Sequence, residues 1–193
     1  MAERMKNLFL TILISFSFLA CDKTESLNEP QTDALYILPF PVGKSYQCMQ
    51  GFNGPYSHRG NFSYSVDFTM SEGTLITAAR KGRVNWIIQN YLDTDYTEGH
   101  ENVVIVQHDD STFSRYAHLK HNGAVVTVGQ NINPGDAIGY SGSTGSGIAH
   151  LHFDVTKGSS DRWNAKTIPF FFKNNFPQDT ELKMGVTYTA RPY

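Results

Sequence analysis

Residues 150–155 read His-Leu-His-Phe-Asp-Val, an alternation of polar and apolar side chains. In a β-strand successive side chains point to opposite faces, so the three apolar side chains of this stretch would face a core. His150 and His152 would then project together from the other face. Two imidazoles placed in this way are close enough to serve one metal ion or one substrate. Taken alone, however, a His-x-His pair is more often a pair of surface histidines on an amphipathic strand.

Similar short runs, rich in β-branched and aromatic residues, recur along the chain and are broken about every ten residues by Gly, Asn, Asp or Pro. Besides 151–155, strand-like runs lie at 103–106, 124–128 and 137–140, and turns are predicted at 109–110, 122–123 and 133–135. Beyond the N-terminal segment, no stretch keeps a 3.6-residue apolar period over three turns. The sequence therefore predicts an all-β domain with few short helices. The apolar segment 168–172 is expected to pack back on the sheet.

The composition of the 193-residue chain is that of an ordinary globular protein, with 40% hydrophobic and 18% charged residues. This length suits one compact domain with a substantial core. The net charge of −2 does not fit a nucleic-acid-binding protein, because such proteins carry a clustered basic surface. We therefore expect no nucleic acid among the partners, and we expect a monomer.

The N-terminus has the features of an export signal. Arg4 and Lys6 precede an apolar run at 8–19, which is shorter than the roughly 20 residues needed to span a bilayer. The run leads into a Leu-Ala-Cys sequence that resembles a bacterial lipoprotein box, in which the cysteine, here Cys21, is acylated. The alternative is a simple secretory signal with a cysteine at its cleavage site. We expect a lipoprotein-type signal peptide over 1–21 and a lipid-anchored protein of the cell envelope that faces the periplasm or the exterior.

The remainder of the chain divides into a linker and a domain. Residues 22–34 are polar and lack periodicity, which is typical of a flexible linker. The domain is predicted over 35–193. If Cys21 carries lipid and anchors the chain to the membrane, Cys48 has no intrachain partner, so we expect no internal disulfide.

Three further residues have the chemistry of a metal or catalytic site. Asp67 lies between two apolar residues and would face away from the core, His58 lies upstream of it, and His118 lies within a strand-like run. Singly, these residues are more often a surface acid, a loop histidine and a partly buried histidine. Together with the pair at 150 and 152, they include the two histidines and one carboxylate that form a catalytic zinc site with an open position for water.

These blocks together resemble the lysostaphin-like (LytM-type) zinc endopeptidases of the bacterial cell wall, peptidase family M23. The resemblance extends over most of the predicted domain, with a family-like core at about 50–157. Besides the single residues His58 and Asp67, its blocks are Glu72–Val84, Asn102–His108, Tyr116-Ala117-His118-Leu119, Val128–Gln130, Gly135–Gly139, Ser141-Gly142-Ser143-Thr144-Gly145 and His150-Leu151-His152-Phe153. The resemblance implies a mainly antiparallel sheet with an active-site groove.

The resemblance also implies the roles of five residues. The zinc ligands of the family correspond to His58, Asp67 and His152. Its two non-ligand catalytic histidines correspond to His118 and His150, and the choice between them as general base stays open. All five positions hold the residue type that the family requires.

One departure from the family pattern concerns the first two ligands. The commonest pattern is His-x-x-x-Asp, with the two ligands four positions apart, whereas His58 and Asp67 are nine positions apart. We expect the additional residues, around 61–63, to form a bulge or loop that brings His58 back to the metal.

The implied function is zinc-dependent hydrolysis of peptide bonds in peptidoglycan stem peptides or cross-bridges, with Zn²⁺ as cofactor and a metal-activated water as nucleophile. One alternative is a non-catalytic relative that binds wall peptides or activates a wall amidase, which would be marked by the loss of a ligand. Another is a lipoprotein with a structural zinc, which would favour a closed shell of four ligands, usually with cysteine. Since the ligand imidazoles must be neutral, metal binding and activity should fall in mild acid.

Overall fold

A computed structural model describes residues 35–161 and 163–193, so the predicted signal peptide and linker lie outside the described residues. The described part of the chain forms β1 (Leu35–Tyr36), β2 (Ser45–Gln50), β3 (Ser65–Thr69), β4 (Leu75–Thr77), β5 (Gly82–Ile88), β6 (Asn102–Gln107), β7 (Thr112–Ala124), β8 (Asn131–Ile132), β9 (Ala137–Ser141), β10 (His150–Lys157), β11 (Phe171–Phe172), β12 (Asn175–Phe176) and β13 (Thr187–Ala190). A short 3₁₀ turn, Gly60–Phe62, lies between β2 and β3. None of the described residues belongs to a helix with the length and apolarity that a membrane span requires.

Eleven strands form one sheet in the order β12-β13-β2-β3-β10-β7-β6-β5-β8, and β9 joins β4 to this sheet by pairing with β7. Every pairing within this sheet is antiparallel. The two short strands β1 and β11 form a separate parallel pair. The prediction of an all-β, mainly antiparallel fold is confirmed. Strand β10, which carries the His-x-His pair, lies between β3 and β7 near the middle of the sheet.

The core lies on the face of β10 that the alternation predicts. Leu151, Phe153 and Val155 are buried in one hydrophobic cluster, and burying each of these side chains stabilises the fold by about 1.5–3 kcal/mol. Phe170 and Phe172, from the apolar segment at 168–172, are buried in the same cluster. The ring centroids of Phe153 and Phe170 are 5.2 Å apart in an edge-to-face arrangement, which is favourable for aromatic pairs. The expectation that this segment packs back on the sheet is confirmed.

The prediction of a strand at 124–128 is wrong, and so is that of a turn at 122–123. Strand β7 continues to Ala124, and residues 125–130 form an irregular connection to β8. Within it, Val126 is buried while Val125 and Val128 are exposed. Asn122 has φ +51°, and the pairing of β7 with β9 is irregular around this position. Asn and Gly adopt left-handed conformations readily, so an Asn-Gly pair occurs at an irregularity within a strand as well as in a turn.

Candidate metal centre and active-site groove

Three side chains predicted as ligands come together on the face of the sheet opposite the core. Asp67 in β3 is paired directly with His152 in β10, so their side chains lie side by side on one face. His58 lies in the loop that follows β2. One potential ligand atom from each residue lies within 4.8 Å of the other two, and within residues 35–161 and 163–193 no second group of this kind occurs.

The contacts among these three residues fit a bound cation. His58 Nε2 lies 3.1 Å from Asp67 Oδ2, and His152 Nδ1 lies 2.9 Å from Asp67 Oδ1. No described group stands in hydrogen-bonding geometry to His58 Nε2 or Asp67 Oδ1, although both atoms are buried. Buried polar atoms are normally paired, and the ligand atoms of a tetrahedral zinc lie roughly 3.3 Å from one another. The donor set and its spacing therefore fit Zn²⁺.

Hydrogen bonds at the far side of each ring select the nitrogen that faces the centre. His58 Nδ1 lies 2.9 Å from the carbonyl oxygen of Gly51, so Nδ1–H donates to this oxygen and Nε2 keeps its lone pair. His152 Nε2 lies 2.9 Å from Oδ2 of Asp154, so this ring donates through Nε2 and presents Nδ1. Such outer partners are typical of ligand histidines, because they set the tautomer and the orientation of the ring.

Asp154 and Arg115 support His152, and the sequence analysis missed both. The two residues are cross-strand partners in β10 and β7, and Arg115 Nε donates to Asp154 Oδ1 over 2.6 Å. Burial raises the pKa of Asp154, but Arg115 and His152 outweigh it and lower the pKa to about 2. The carboxylate is therefore ionised and accepts from the imidazole. Asp154 could have been found from the sequence, because it is the next polar residue after His150 and His152 in the same alternation.

His118 reaches the same face because of a β-bulge. Tyr116 and Leu119, three positions apart, are both buried in the core, and the pairing of β7 with β6 shifts register between Ala117 and Leu119. His118 itself has φ +60°, a left-handed conformation that is uncommon for residues other than glycine. A bulge redirects side chains in this way near functional sites. As a result, the His118 ring lies against that of His150, with centroids 4.4 Å apart.

His118 and His150 are neutral and present the same ring atom. His118 Nδ1 lies 2.7 Å from the carbonyl oxygen of Thr144, and His150 Nδ1 lies 2.8 Å from that of Ile148. Both Nδ1–H groups donate, so each Nε2 carries a lone pair. Burial, together with the neighbouring His150 and His152, lowers the pKa of His118 to about 3. Burial also lowers the pKa of His150. Both rings are therefore uncharged at neutral pH, with no proton on Nε2.

The segment 141–145, one of the family-like blocks, supports His118. The hydroxyl of Thr144 donates to the carbonyl oxygen of Leu119 over 2.9 Å and accepts the backbone N–H of Asn102 over 3.0 Å. These bonds hold the Thr144 carbonyl that accepts from His118. Gly145 has φ +72°, and a Cβ there would lie 2.9 Å from the backbone nitrogen of Glu101. Both the conformation and the close approach require glycine at this position.

A cleft of about 940 Å³ opens over these side chains. Its lining includes Asp67, His118, His150 and His152, and its walls include the large apolar side chains of Tyr56, Phe62, Ile148, Trp163 and Met184. Phe62 belongs to the 3₁₀ turn within the long spacing between His58 and Asp67, and its ring centroid lies 6.2 Å from that of His152. The additional residues thus contribute a wall of the cleft.

The raised pKa of His152 predicts a proton-linked metal affinity. Burial lowers this pKa, but Asp154 and Asp67 outweigh burial and raise it to about 9. The metal-free ring is therefore protonated at neutral pH, whereas a metal requires the lone pair of Nδ1. We expect zinc binding to release about one proton, and its apparent affinity to rise about tenfold from about pH 7 to about pH 8. Calorimetric titrations in two buffers of different ionisation enthalpy measure the number of protons released. A zinc affinity that does not change with pH would contradict the prediction.

The chain is similar to several known proteins, of which three are described. The glycyl-glycine endopeptidase ALE-1 of Staphylococcus capitis is 36% identical over 125 residues, which cover 61% of this chain and 32% of that protein. The murein hydrolase activator NlpD of Salmonella typhimurium is 34% identical over 96 residues, covering 49% of this chain and 23% of that protein. The crystal structure of the catalytic domain of a mutant of the prophage-encoded M23 protein EnpA from Enterococcus faecalis has a TM-score of 0.53 at 21% identity. That match covers 67% of this chain and 93% of the EnpA domain, and it supports the fold alone.

The chain spans about a third or less of the length of the curated relatives that it matches. The model of peptidase family M23 matches residues 61–165, which is more than half of the chain. This range contains Asp67, His118, His150 and His152, and it begins just after His58. With the antiparallel fold, this match establishes that the chain belongs to peptidase family M23.

Proposed function

We propose that the protein is a zinc-dependent endopeptidase that hydrolyses peptide bonds in peptidoglycan. One observation carries this proposal: His58, Asp67 and His152 converge at the base of an open cleft, beside two neutral imidazoles. Two buried atoms of this group, His58 Nε2 and Asp67 Oδ1, have no hydrogen-bond partner among the described residues. Three ligands leave one position of a tetrahedral zinc open, which is the arrangement of catalytic rather than structural zinc sites.

In this proposal His58, Asp67 and His152 hold the zinc ion. When bound, zinc lowers the pKa of a coordinated water toward 7 and polarises a carbonyl group as a Lewis acid. Burial raises the pKa of Asp67, but His152 and His58 outweigh it and hold the pKa well below its usual value. The carboxylate is therefore ionised at any pH at which the enzyme would work, and it brings negative charge to the cation.

His118 and His150 carry out the proton transfers in the proposed reaction. Each has its Nε2 lone pair available, because its Nδ1–H is engaged by a backbone carbonyl. One of the two accepts a proton from the attacking water at Nε2 and, as the imidazolium, passes this same proton to the leaving amine, while the other orients the water by accepting a hydrogen bond at its Nε2. Their fixed orientation avoids reorganisation during the reaction, since a backbone carbonyl holds each ring at Nδ1.

The substrate class is proposed from the cleft and the relatives. A cleft with several apolar walls suits an extended peptide, and the names of the two relatives refer to a glycyl-glycine endopeptidase and to a murein hydrolase activator. We propose stem peptides or cross-bridges of peptidoglycan as the bonds cleaved. The similarity to NlpD favours a second candidate function, a non-catalytic activator of a wall hydrolase. The presence of all five metal-binding and proton-transfer side chains favours the hydrolase.

The location proposed for this activity follows from the N-terminal sequence. We propose that residues 1–21 direct export, that Cys21 carries the lipid anchor, and that 22–34 links this anchor to the peptidase domain at 35–193. Such a protein is held in the cell envelope, on the side where peptidoglycan is found.

The test is to incubate the full chain, purified in detergent, with peptidoglycan sacculi and to measure the masses of released fragments. We expect fragments with newly formed peptide termini, no release in the presence of a zinc chelator, and recovery when zinc is restored. If the zinc-loaded protein releases nothing alone but increases release by an added wall amidase, the activator function is correct and the endopeptidase is excluded.

A further inference from the structure

Gln50 ends β2 beside the proposed metal centre and is buried, with 1% of its surface exposed. Regular pairing after Cys48 and Phe68 would bring Met49 opposite Asp67, but a register shift between Cys48 and Gln50 brings Gln50 opposite Asp67 instead. Because side chains alternate along a strand, this bulge moves Gln50 from the core face to the face of the metal centre. The long amide side chain is thereby placed next to a proposed ligand.

The amide of Gln50 makes four hydrogen bonds, so both of its polar atoms are fully used. Its Oε1 accepts the backbone N–H groups of Tyr56, over 2.7 Å, and Ser57, over 3.1 Å. Its Nε2 donates to Asp67 Oδ2 over 3.0 Å and to Ser57 Oγ over 3.0 Å. The two backbone N–H groups can bond only to the oxygen of the Gln50 amide, so they determine which way the amide is turned. The amide nitrogen is thereby directed to the carboxylate of Asp67.

These contacts join two proposed ligands that come from different parts of the chain. Ser57 immediately precedes His58, so the bonds from Gln50 hold the backbone at the point where this ligand enters. The loop closes tightly around the amide side chain, because a Cβ on Gly54 would lie 2.1 Å from Gln50 Cγ. On the other side, the amide holds Asp67 Oδ2, the oxygen that lies nearest to His58 Nε2.

We propose that Gln50 is a positioning residue that orients His58 and Asp67 toward one another before a metal binds. It compensates for the long spacing between these ligands: nine positions of chain leave His58 on a loop, and Gln50 ties this loop to the carboxylate. Since the inference concerns the ligand geometry of the proposed zinc site, it rests on the proposed function.

The experiment compares Gln50→Met with wild type in the full chain purified in detergent. Methionine has a similar length but makes none of the four hydrogen bonds. We expect the zinc dissociation constant, measured by chelator competition, to rise by roughly 10- to 100-fold, as for other outer partners of metal ligands. We also expect the visible absorption spectrum of the cobalt-substituted variant to change, because the spectrum reports the geometry of the ligands. Circular dichroism establishes that the variant is folded.

The matched control is Gln47→Met, in the same strand. The side chain of Gln47 donates a hydrogen bond to the carbonyl oxygen of Gly185 and makes no contact with His58 or Asp67. We expect this variant to keep the zinc affinity and the cobalt spectrum of wild type. If Gln50→Met also keeps both, the inference is wrong. If Gln50→Met does not fold, Gly54→Ala provides the test, since the added Cβ displaces the Gln50 side chain without removing its amide. An unchanged zinc affinity of Gly54→Ala rejects the inference. Failure of wild type to bind zinc would instead reject the proposed function.

Discussion

Replacing His118 by alanine is expected to lower the rate of peptidoglycan cleavage by about 10³-fold, within the range for loss of a general acid or base. The zinc content should remain that of wild type, because the His118 side chain is not among the three donors that converge at the centre. Alanine has the same Cβ as histidine, so the substitution adds no steric cost at this left-handed position. Cleavage rate and bound zinc are measured on the same preparation.

Two companion variants make this result specific. His121 lies in the same strand, and its ring bonds the carbonyl oxygen of Tyr91 rather than facing the centre. The variant His121→Ala should therefore retain most of the activity. His152→Ala should lose both zinc and activity, because it removes a proposed ligand. If His118→Ala cleaves at more than about a tenth of the wild-type rate, proton transfer by this residue is excluded.

Replacing Asp154 by alanine is expected to destabilise the metal-free protein by about 3–5 kcal/mol. The reason is the buried guanidinium of Arg115, which would lose the carboxylate that it contacts. Both side chains are almost completely buried, so solvent cannot replace the lost partner. Chemical denaturation in the presence of a chelator measures the free energy of unfolding without a contribution from bound zinc.

The double variant Arg115→Met with Asp154→Leu separates charge balance from ligand orientation. Apolar side chains of similar volume often replace a buried ion pair without loss of stability, so most of the free energy of unfolding should return. The zinc affinity should stay roughly 10- to 100-fold below that of wild type, because Nε2 of His152 has lost its acceptor. Recovery of both properties would mean that Asp154 serves only to neutralise Arg115.

The fold was predictable from local alternation because one face of each central strand is buried. The apolar positions at 151–155 lie in the core as the period of two requires. The prediction of a strand at 124–128 was wrong for a physical reason. Successive β-branched side chains favour a strand, but a strand forms only where a neighbouring strand is available for pairing. In the structure β7 ends at Ala124, the first residue of this run. Of the three valines that follow, Val126 alone is buried.

The site was predictable in its residue types but not in its geometry. The sequence by itself determined that histidines at 150 and 152 share a face, and that an acid at 67 faces away from its apolar neighbours, because side-chain direction alternates along any strand. Only the tertiary structure decided that Asp67 pairs with His152, and that bulges turn Gln50 and His118 toward the same cleft. Register and bulges depend on hydrogen bonds to partner strands distant in the chain, which no local pattern records.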